Sequence, residues 1–321
     1  MGGAPRDTRI FPDEMSRVKR SILFFLSACF MLAARGALAD GEAGQPGGFL
    51  RAGVGARPLA MGNAYAAVAS GPETGLWNPA GLALMNSGAF ASSVSTLSLG
   101  RQFADASFAY PVGQNGRGWG NWSLSWLRFS LGDDFEGRQS DTASFYNFSD
   151  EQSAYVLSHG RLITNWLAVG AGVKFIQHRI DTFSANGFGS DLGLLLIPHP
   201  KFHVGVSVTE LFSQIQWSTG YAEQFPYTLR IGLSALILKD WLLLSTQATG
   251  VQGRQVSYQA GLELRYASLL FARAGINEQS FTLGGGISVP LYKTRVNFDY
   301  AFAPDPLGLG NVQRFSLGLN F

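Results

Sequence analysis

The feature that most constrains this chain is an alternation of apolar with small or polar side chains, which recurs from Gly88 to the C-terminus. The segment 167–175 has apolar residues at its odd positions and Ala, Gly, Gly and Lys at its even ones, and 256–264 repeats the pattern. Because successive side chains of a β-strand point to opposite faces, each such segment has one apolar and one mixed face. The alternation therefore predicts strands that separate two different environments.

Segments of this kind occur about fourteen times, and an even number is what single-chain bacterial outer-membrane barrels require. We predict strands at 88–96, 103–111, 119–129, 152–160, 166–177, 189–197, 201–210, 227–237, 241–249, 255–266, 269–276, 280–288, 293–302 and 312–321. The connections at 130–151 and 211–226 are long, whereas those at 199–200 and 239–240 are short. Because such barrels alternate long outer loops with short periplasmic turns, we expect a periplasmic N-terminus.

The composition is typical of a membrane barrel and argues against other classes. Charged residues make up only 14% of the chain and hydrophobic residues 46%, whereas average soluble domains carry about 25% charged residues. No stretch after residue 40 approaches the roughly 18 consecutive apolar residues of a transmembrane helix. The net charge of +2, with no Lys/Arg cluster after Arg20, argues against nucleic acid as a partner.

These observations together predict the fold class and the location. We expect an all-β protein, a transmembrane antiparallel β-barrel of about 14 strands with a short N-terminal helical plug. It should be integral to the outer membrane of a Gram-negative bacterium and in contact with its lipid.

Residues 1–39 are interpreted as a leader and signal peptide. A basic segment precedes an apolar core that is too short to span a membrane, and a small-x-small cleavage site ends at Ala39. Both Met1 and Met15 are candidate starts of translation. The residues that end at Cys29 also match the lipobox of bacterial lipoproteins, so lipidation at Cys29 is the alternative to cleavage by signal peptidase I after Ala39.

The segment 40–86 differs in pattern from the rest of the mature chain and is predicted to be the plug, with the barrel at 87–321. Residues 56–69 are rich in alanine and have apolar positions at helical spacing, which predicts a short helix. A second short helix is predicted after Asn78, whose side chain suits an N-cap, with Pro79 in the first turn.

The last strand carries a signal of its own. Its apolar residues share one parity and the chain stops on an aromatic side chain; these residues are Phe315, Leu317, Leu319 and Phe321. The pattern resembles the C-terminal strand by which outer-membrane barrels are recognised and inserted. The barrel-assembly machinery is therefore an expected partner.

Two N-terminal motifs carry a resemblance to a known family. They are GVGARPLAMGNA at residues 53–64 and NPAGLA at 78–83, and weaker phrases such as SDLGLL at 190–195 and GLELRY at 261–266 extend the resemblance into the barrel. The chain resembles the PorV/PorQ-type outer-membrane proteins, a branch of the FadL-like barrels. The resemblance covers most of the mature chain and implies a fourteen-strand barrel whose N-terminal segment folds inward as a plug.

The resemblance implies two alternative functions. In fatty-acid-transporting members, an Asn-Pro-Ala element of the plug helps to gate a passage for hydrophobic molecules, which predicts a FadL-like barrel that passes or binds small hydrophobic compounds. In PorV members, the barrel instead docks secreted cargo proteins for type IX secretion or surface attachment. The expected plug and gate residues are Asn78, Pro79, Ala80, Gly81, Arg57 and Met61. Passage predicts a greasy pocket between residues 59–68 and the wall, and docking predicts a sealed lumen.

Nine charged residues within the predicted strands, Asp105 and Lys174 among them, fall on the mixed parity, and charge on the lipid face costs about 2–4 kcal/mol for Arg or Lys at mid-depth. The expected lumen charges are Asp191, Arg230, Glu263, Arg265, Arg273, Arg295 and Asp299. A turn at 267–269 would place Glu263 opposite Arg273, so that the two can pair. Ion pairs that stiffen the wall and hold the plug are one interpretation, and a selectivity ring is the other.

No catalytic, metal-binding or cofactor-binding constellation can be assembled from the sequence. The four histidines are scattered, and the acidic segment 132–137 matches no calcium motif. We therefore predict a protein that is not an enzyme and has neither cofactor nor metal. The predicted lumen is polar and charge-paired, which disfavours a tunnel for fatty acids.

Overall fold

The computed structural model describes residues 46–68, 70–112, 116–131, 135–138, 141–142, 144–278, 280–305, 308 and 310–321. The predicted signal peptide, the alternative lipidation site at Cys29, the two candidate starts and residues 40–45 of the predicted plug lie outside the described residues. Among the described helices, none is long and apolar enough to cross a membrane.

Seventeen strands form within the described residues. They are β1 (Ala89–Thr96), β2 (Gln102–Pro111), β3 (Asn121–Ser130), β4 (Phe135–Gly137), β5 (Tyr146–Phe148), β6 (Asp150–Leu162), β7 (Leu167–Ile180), β8 (Phe183–His199), β9 (Phe202–Trp217), β10 (Ala222–Gln224), β11 (Thr228–Ile237), β12 (Leu242–Val251), β13 (Ser257–Tyr266), β14 (Leu270–Ile276), β15 (Phe281–Leu291), β16 (Thr294–Pro304) and β17 (Asn311–Asn320).

Fourteen of these strands close into one antiparallel barrel. Each pairs with the next barrel strand along the chain, and β1 pairs with β17 to complete the ring. The other three are short: β4 and β5 form a separate hairpin, and β10 pairs with β9 alone. The predicted fold class, a closed antiparallel β-barrel of about fourteen strands, is confirmed.

The two ends of the barrel differ in their connections. We call the end at which β1 begins and β17 ends the turn end, and the opposite end the loop end. The β4–β5 hairpin and β10 belong to long connections at the loop end, but β7 and β8 are joined there by Asp181 and Thr182 alone. The predicted strands 166–177 and 189–197 imply a long connection over residues 178–188. This prediction is wrong, because β7 and β8 stay paired as far as Ile180 and Phe183.

The faces of the barrel follow the alternation of the sequence. Val156 and Ile176 are buried in the lumen, whereas Leu157 and Val173 are exposed on the outer surface. The residues of the predicted insertion signal lie on the outer face of β17 or at its end: Phe315, Leu317, Leu319 and Phe321. Their role in insertion stays a prediction.

The residues before β1 occupy the lumen as a plug. They form α1 (Gly48–Arg51), α2 (Ala56–Ala60), α3 (Thr74–Trp77) and a 3-10 helix (Pro79–Leu84). The helix predicted over 56–69 ends at Ala60, because Gly62 and Asn63 both adopt a left-handed φ of 64° and turn the chain. A helix after Asn78 is confirmed, and the Asn78 side chain accepts a hydrogen bond from the amide of Ala80 as its N-cap.

Candidate functional site

The plug rests on glycines of the barrel wall. A Cβ added to any of six glycines would lie 2.2–2.4 Å from an atom of the plug; we call these six the glycine belt: Gly160, Gly170, Gly193, Gly205, Gly261 and Gly275. At Gly170 the obstacle is the backbone of Pro79 and Ala80, and at Gly205 it is the carbonyl of Ala66. Glycine is the residue that permits such an approach, so the plug is docked by shape along strands β6–β9, β13 and β14.

The Asn-Pro-Ala element ties two parts of the plug to the wall. The Asn78 side chain donates to the carbonyl of Ala66, at 2.8 Å, and to that of Leu194 on β8, at 3.1 Å. Asn121 of β3 donates to the carbonyls of Leu82 and Met85, at 2.6 and 2.8 Å. The predicted plug residues of this element, Asn78, Pro79, Ala80 and Gly81, are all buried.

Sequence reasoning missed Asn121 and Gln247 as partners of the plug. The Gln247 side chain accepts from the amides of Tyr65 and Ala66, at 3.1 and 2.9 Å, and donates to the carbonyl of Asn63. Both are uncharged, inward-facing residues on strands, so their parity was the one signal that could have found them.

Glu263 is the centre of an ion-pair network. It accepts bonds from Arg273, at 2.6 Å, from Arg265, at 2.8 Å, and from Arg57 of the plug, at 2.6 and 2.9 Å. Arg273 also donates to Asp299, at 2.6 Å. The register of β13 and β14 places Glu263 directly opposite Arg273, as predicted, and the network holds the plug to the wall through Arg57.

Strands β17, β1 and β2 hold the plug by side chains. Asp105 of β2 accepts from the amide of Gly55, at 3.4 Å, and Ser316 of β17 accepts from the amide of Ala56, at 2.7 Å. Arg314 donates to the carbonyl of Gly53, at 2.9 Å. Ala56 and Leu59 of α2 also pack against Val312 of β17 in a small apolar cluster, so the contacts on this side are hydrogen bonds and side-chain packing and not backbone packed against glycine.

A cavity of about 420 Å³, which we call the vestibule, is lined by residues of the plug and of β13–β17 and β1. It reaches the turn end of the barrel, where Asn86, Ser268 and Asn320 line it. The other polar lining includes Arg57, Glu73, Glu263, Arg265, Arg273, Arg295 and Asp299. An apolar pocket was predicted between residues 59–68 and the wall. Among the described residues no such pocket separates the two, because that segment packs directly on the glycine belt.

Glu73 was not predicted as a site residue and lines the vestibule. Burial raises its pKa to about 7, and the carboxylates of Asp105 and Asp299 add to the rise, whereas Arg57 and the backbone amide oppose it. One of its oxygens, Oε2, is buried without a hydrogen-bond partner among the described residues.

All seven predicted lumen charges face the interior, but they do not form a ring. Five of them surround the vestibule on β13, β14 and β16: Glu263, Arg265, Arg273, Arg295 and Asp299. The other two are Asp191, which pairs with the buried Lys174 at 2.9 Å, and Arg230, which donates to Thr209 at 3.1 Å and lies over the ring of Trp77.

Glu210 joins Lys174 and Asp191 in a buried cluster that the sequence pattern did not reveal. The pairing of β8 with β9 shifts register twice at this point, between Phe188 and Leu192. These bulges bring Glu210 into the lumen beside Thr209, although neighbouring residues of a regular strand face opposite sides.

We call the part of the lumen toward the loop end the loop half, and the remainder, with the vestibule, the turn half. The loop half is mostly apolar. The buried wall residues of the loop half include Phe103, Leu127, Val156, Ile176 and Ile215, and the plug adds Phe49. Leu50, Val54, Leu76 and Trp77 of the plug border a second cavity there, of about 10 Å³, and Lys174 and Arg230 of the wall also line it. The predicted polar, charge-paired lumen is therefore incomplete for this half, where most of the buried wall residues are apolar.

Comparison with known proteins relates the chain to others by structure. No protein-family model matches the sequence, and no curated protein does either. The Pseudomonas putida toluene transporter TodX has a similar structure, with a TM-score of 0.56 and 15% identity over 84% of this chain and 97% of that chain. A Pseudomonas aeruginosa FadL homologue gives a TM-score of 0.57 and 10% identity, covering 84% of this chain and 98% of the homologue.

A TodX deltaS2S3 mutant, a monoaromatic hydrocarbon channel, gives a TM-score of 0.56 and 13% identity over 84% of this chain and 98% of its own. At these identities the likeness is one of fold. The chain shares the barrel fold of these FadL-type channels.

Proposed function

We propose that this chain is an integral outer-membrane protein that passes small hydrophobic compounds through its barrel and past the plug. The observation that carries the proposal is the apolar loop half. The lumen of an outer-membrane barrel is ordinarily polar, yet Phe103, Leu127 and Ile176 face this lumen and are fully or nearly fully buried. Such a lining favours molecules that gain by leaving water.

Two of the similar solved structures are channels for hydrocarbons, the toluene transporter and the monoaromatic hydrocarbon channel. They support the same function here by analogy of fold. In this proposal the Asn78-Pro79-Ala80 element and Met61 hold the plug on the glycine belt, and Arg57 links the plug to Glu263 of the wall. No catalytic step or cofactor is involved.

Membership of the PorV/PorQ branch, with docking of secreted proteins, has the sequence resemblance as its support. We prefer the passage of hydrophobic compounds, because that function accounts for the apolar loop half and docking on the outer loops does not. The periplasmic N-terminus and the recognition of β17 by the barrel-assembly machinery are part of the proposal.

The proposal can be tested with N-phenylnaphthylamine, a hydrophobic dye that fluoresces in the interior of membranes. Gram-negative cells that express the chain should take up the dye faster than cells with an empty vector, and toluene in the medium should slow this uptake by competition. Equal rates in both strains, with the barrel shown to be folded in the outer membrane, would contradict the proposal.

A pair of variants on β3 links the effect to the loop half. Leu127→Ser makes the apolar lining polar and should lower the rate of dye uptake. Ser125→Ala changes the neighbouring inward position, whose hydroxyl accepts from Ser107, and should leave the rate near that of the unmodified chain. Equal effects of the two variants would show that the apolar lining is not the contact surface.

A further inference from the structure

The two sides of the plug are attached in different ways. On the glycine belt, plug atoms occupy the space of missing Cβ atoms, as at Gly193, where a Cβ would lie 2.2 Å from Asn78 Oδ1. Such an interface leaves no free space for movement, because close-packed groups cannot shift without losing many contacts. Facing β17, β1 and β2, the plug is attached by hydrogen bonds from its amides to side chains and by the packing of Ala56 and Leu59 on Val312, with the open vestibule beside them.

Arg57 connects the side of the plug that faces β17, β1 and β2 to the wall. Its guanidinium binds Glu263 of β13 and also donates to Ser70 Oγ, at 2.9 Å, and to Tyr65 Oη, at 3.2 Å. Tyr65 Oη in turn donates to the carbonyl of Ser70, at 2.9 Å. The segment 70–73 is thus held above the vestibule by Arg57 and Tyr65.

Glycines with a left-handed backbone lie in both plug segments on this side, residues 53–57 and 70–73. Gly53 and Gly55 have φ of 73° and 80°, and Gly71 has φ of 89°. Residues of this kind allow the backbone changes that a hinge requires. No comparable freedom is available where Pro79 and Ala80 press on Gly170.

We propose that the plug opens on one side only. The face on the glycine belt stays docked, while residues 53–57 and 70–73 move away from β17, β1 and β2 when Arg57 separates from Glu263. This movement joins the apolar loop half to the vestibule and so to the turn end. The inference rests on the proposed function for what passes, but the location of the opening follows from the contacts alone.

The test measures openings of the purified full-length barrel in planar lipid bilayers, with potassium chloride as the probe. Arg57→Gln breaks the link between plug and wall, while Glu263 retains Arg265 and Arg273. We expect openings at least about tenfold more frequent than in the unmodified protein, a change of about 1.4 kcal/mol in the closed state. Arg128→Gln is the matched control, because Arg128 also binds a glutamate, Glu151, but at an exposed site away from the plug.

Two engineered disulfides separate the sides of the plug. Ala56→Cys with Ser316→Cys bridges residues whose N and Oγ atoms are 2.7 Å apart. Ala66→Cys with Gly232→Cys bridges the belt side, where a Cβ on residue 232 would lie 3.4 Å from that of Ala66, close to the separation in disulfides. Mass spectrometry verifies each cross-link.

We expect the first cross-link to abolish openings and a reducing agent to restore them, and the second to leave them as frequent as in the reduced protein. The inference is overturned if the belt cross-link abolishes openings, if the first cross-link leaves them unchanged, or if Arg57→Gln has no effect. Failure of dye uptake with the conductance results intact would instead reject the proposed substrate class and keep the location of the opening.

Discussion

The two halves of the lumen are built from the same strands and the same inward parity, yet they have opposite chemistry. On β3, Asn121, Ser123 and Ser125 face the turn half, whereas Leu127 and Phe129 face the loop half. Parity therefore decides whether a side chain points inward, and distance along the strand decides what it meets there. An average over all inward positions hides this division.

The halves are also stabilised by different forces. In the turn half, buried charges must find partners, because an unpaired charge in a low-dielectric interior is costly. In the loop half, the contribution comes from apolar area removed from water and from close packing. The comparison makes graded predictions about substitutions.

The largest loss of stability is expected for Glu263→Gln in the turn half. The change leaves Arg57, Arg265 and Arg273 without their common carboxylate, and removing one partner of a buried ion pair costs about 3–5 kcal/mol. Unfolding by guanidinium chloride in lipid vesicles measures the loss. Glu151→Gln is the control, because Arg128 and Glu151 are 43% and 46% exposed, and such a pair contributes about 0–1 kcal/mol. Similar losses in both variants would refute the role of burial.

A smaller loss is expected where the plug meets the glycine belt. Gly193→Ala places a Cβ 2.2 Å from Asn78 Oδ1, and overpacking of this kind costs about 1–3 kcal/mol. Gly250→Ala on β12 is the control, because the nearest atom to its Cβ would be 3.8 Å away. The same unfolding measurement applies, and an unchanged stability of Gly193→Ala would show that the plug shifts freely on this side.

Much of the fold could be predicted because alternation is a local property of the sequence. The fourteen barrel strands and the register of Glu263 with Arg273 follow from the pattern and from the length of one turn. In each case the residues that decide the outcome lie near one another in the chain.

The remainder depends on contacts distant in sequence. The attachment of Arg57 to Glu263 spans 206 positions, and no spacing rule specifies it. The inward position of Glu210 requires the bulges between β8 and β9, which the regular alternation excludes. The helix predicted over 56–69 failed because Gly62 and Asn63 turn the chain onto the belt, where tertiary packing overrides helical propensity.

A modest loss is expected for Ile176→Val in the loop half. Ile176 is fully buried, and removal of one methylene group from a close-packed core costs about 0.5–1.5 kcal/mol. Ile231→Val is the matched control, because Ile231 lies on the outer surface, where lipid fills the space of the lost group. If the two substitutions have equal effects on the free energy of unfolding, the loop half is not packed as a core and the comparison fails.

A change in local opening, as distinct from the losses of global stability above, is expected from the pH dependence of Glu73 at the edge of the vestibule. Its pKa in the docked plug is raised by burial to about 7 from 4.5, so the docked state binds the proton more tightly than the released state. Docking of segment 70–73 is then strongest below pH 4.5 and weakens as the pH rises from 4.5 to about 7. Hydrogen exchange of the amides of Leu76 and Trp77, corrected for intrinsic rates, should therefore be faster at about pH 8 than at about pH 5, and Glu73→Gln should remove the difference. A pH dependence that persists in Glu73→Gln would assign the titration to another group. Exchange that slows with rising pH would reverse the sign and contradict a raised pKa.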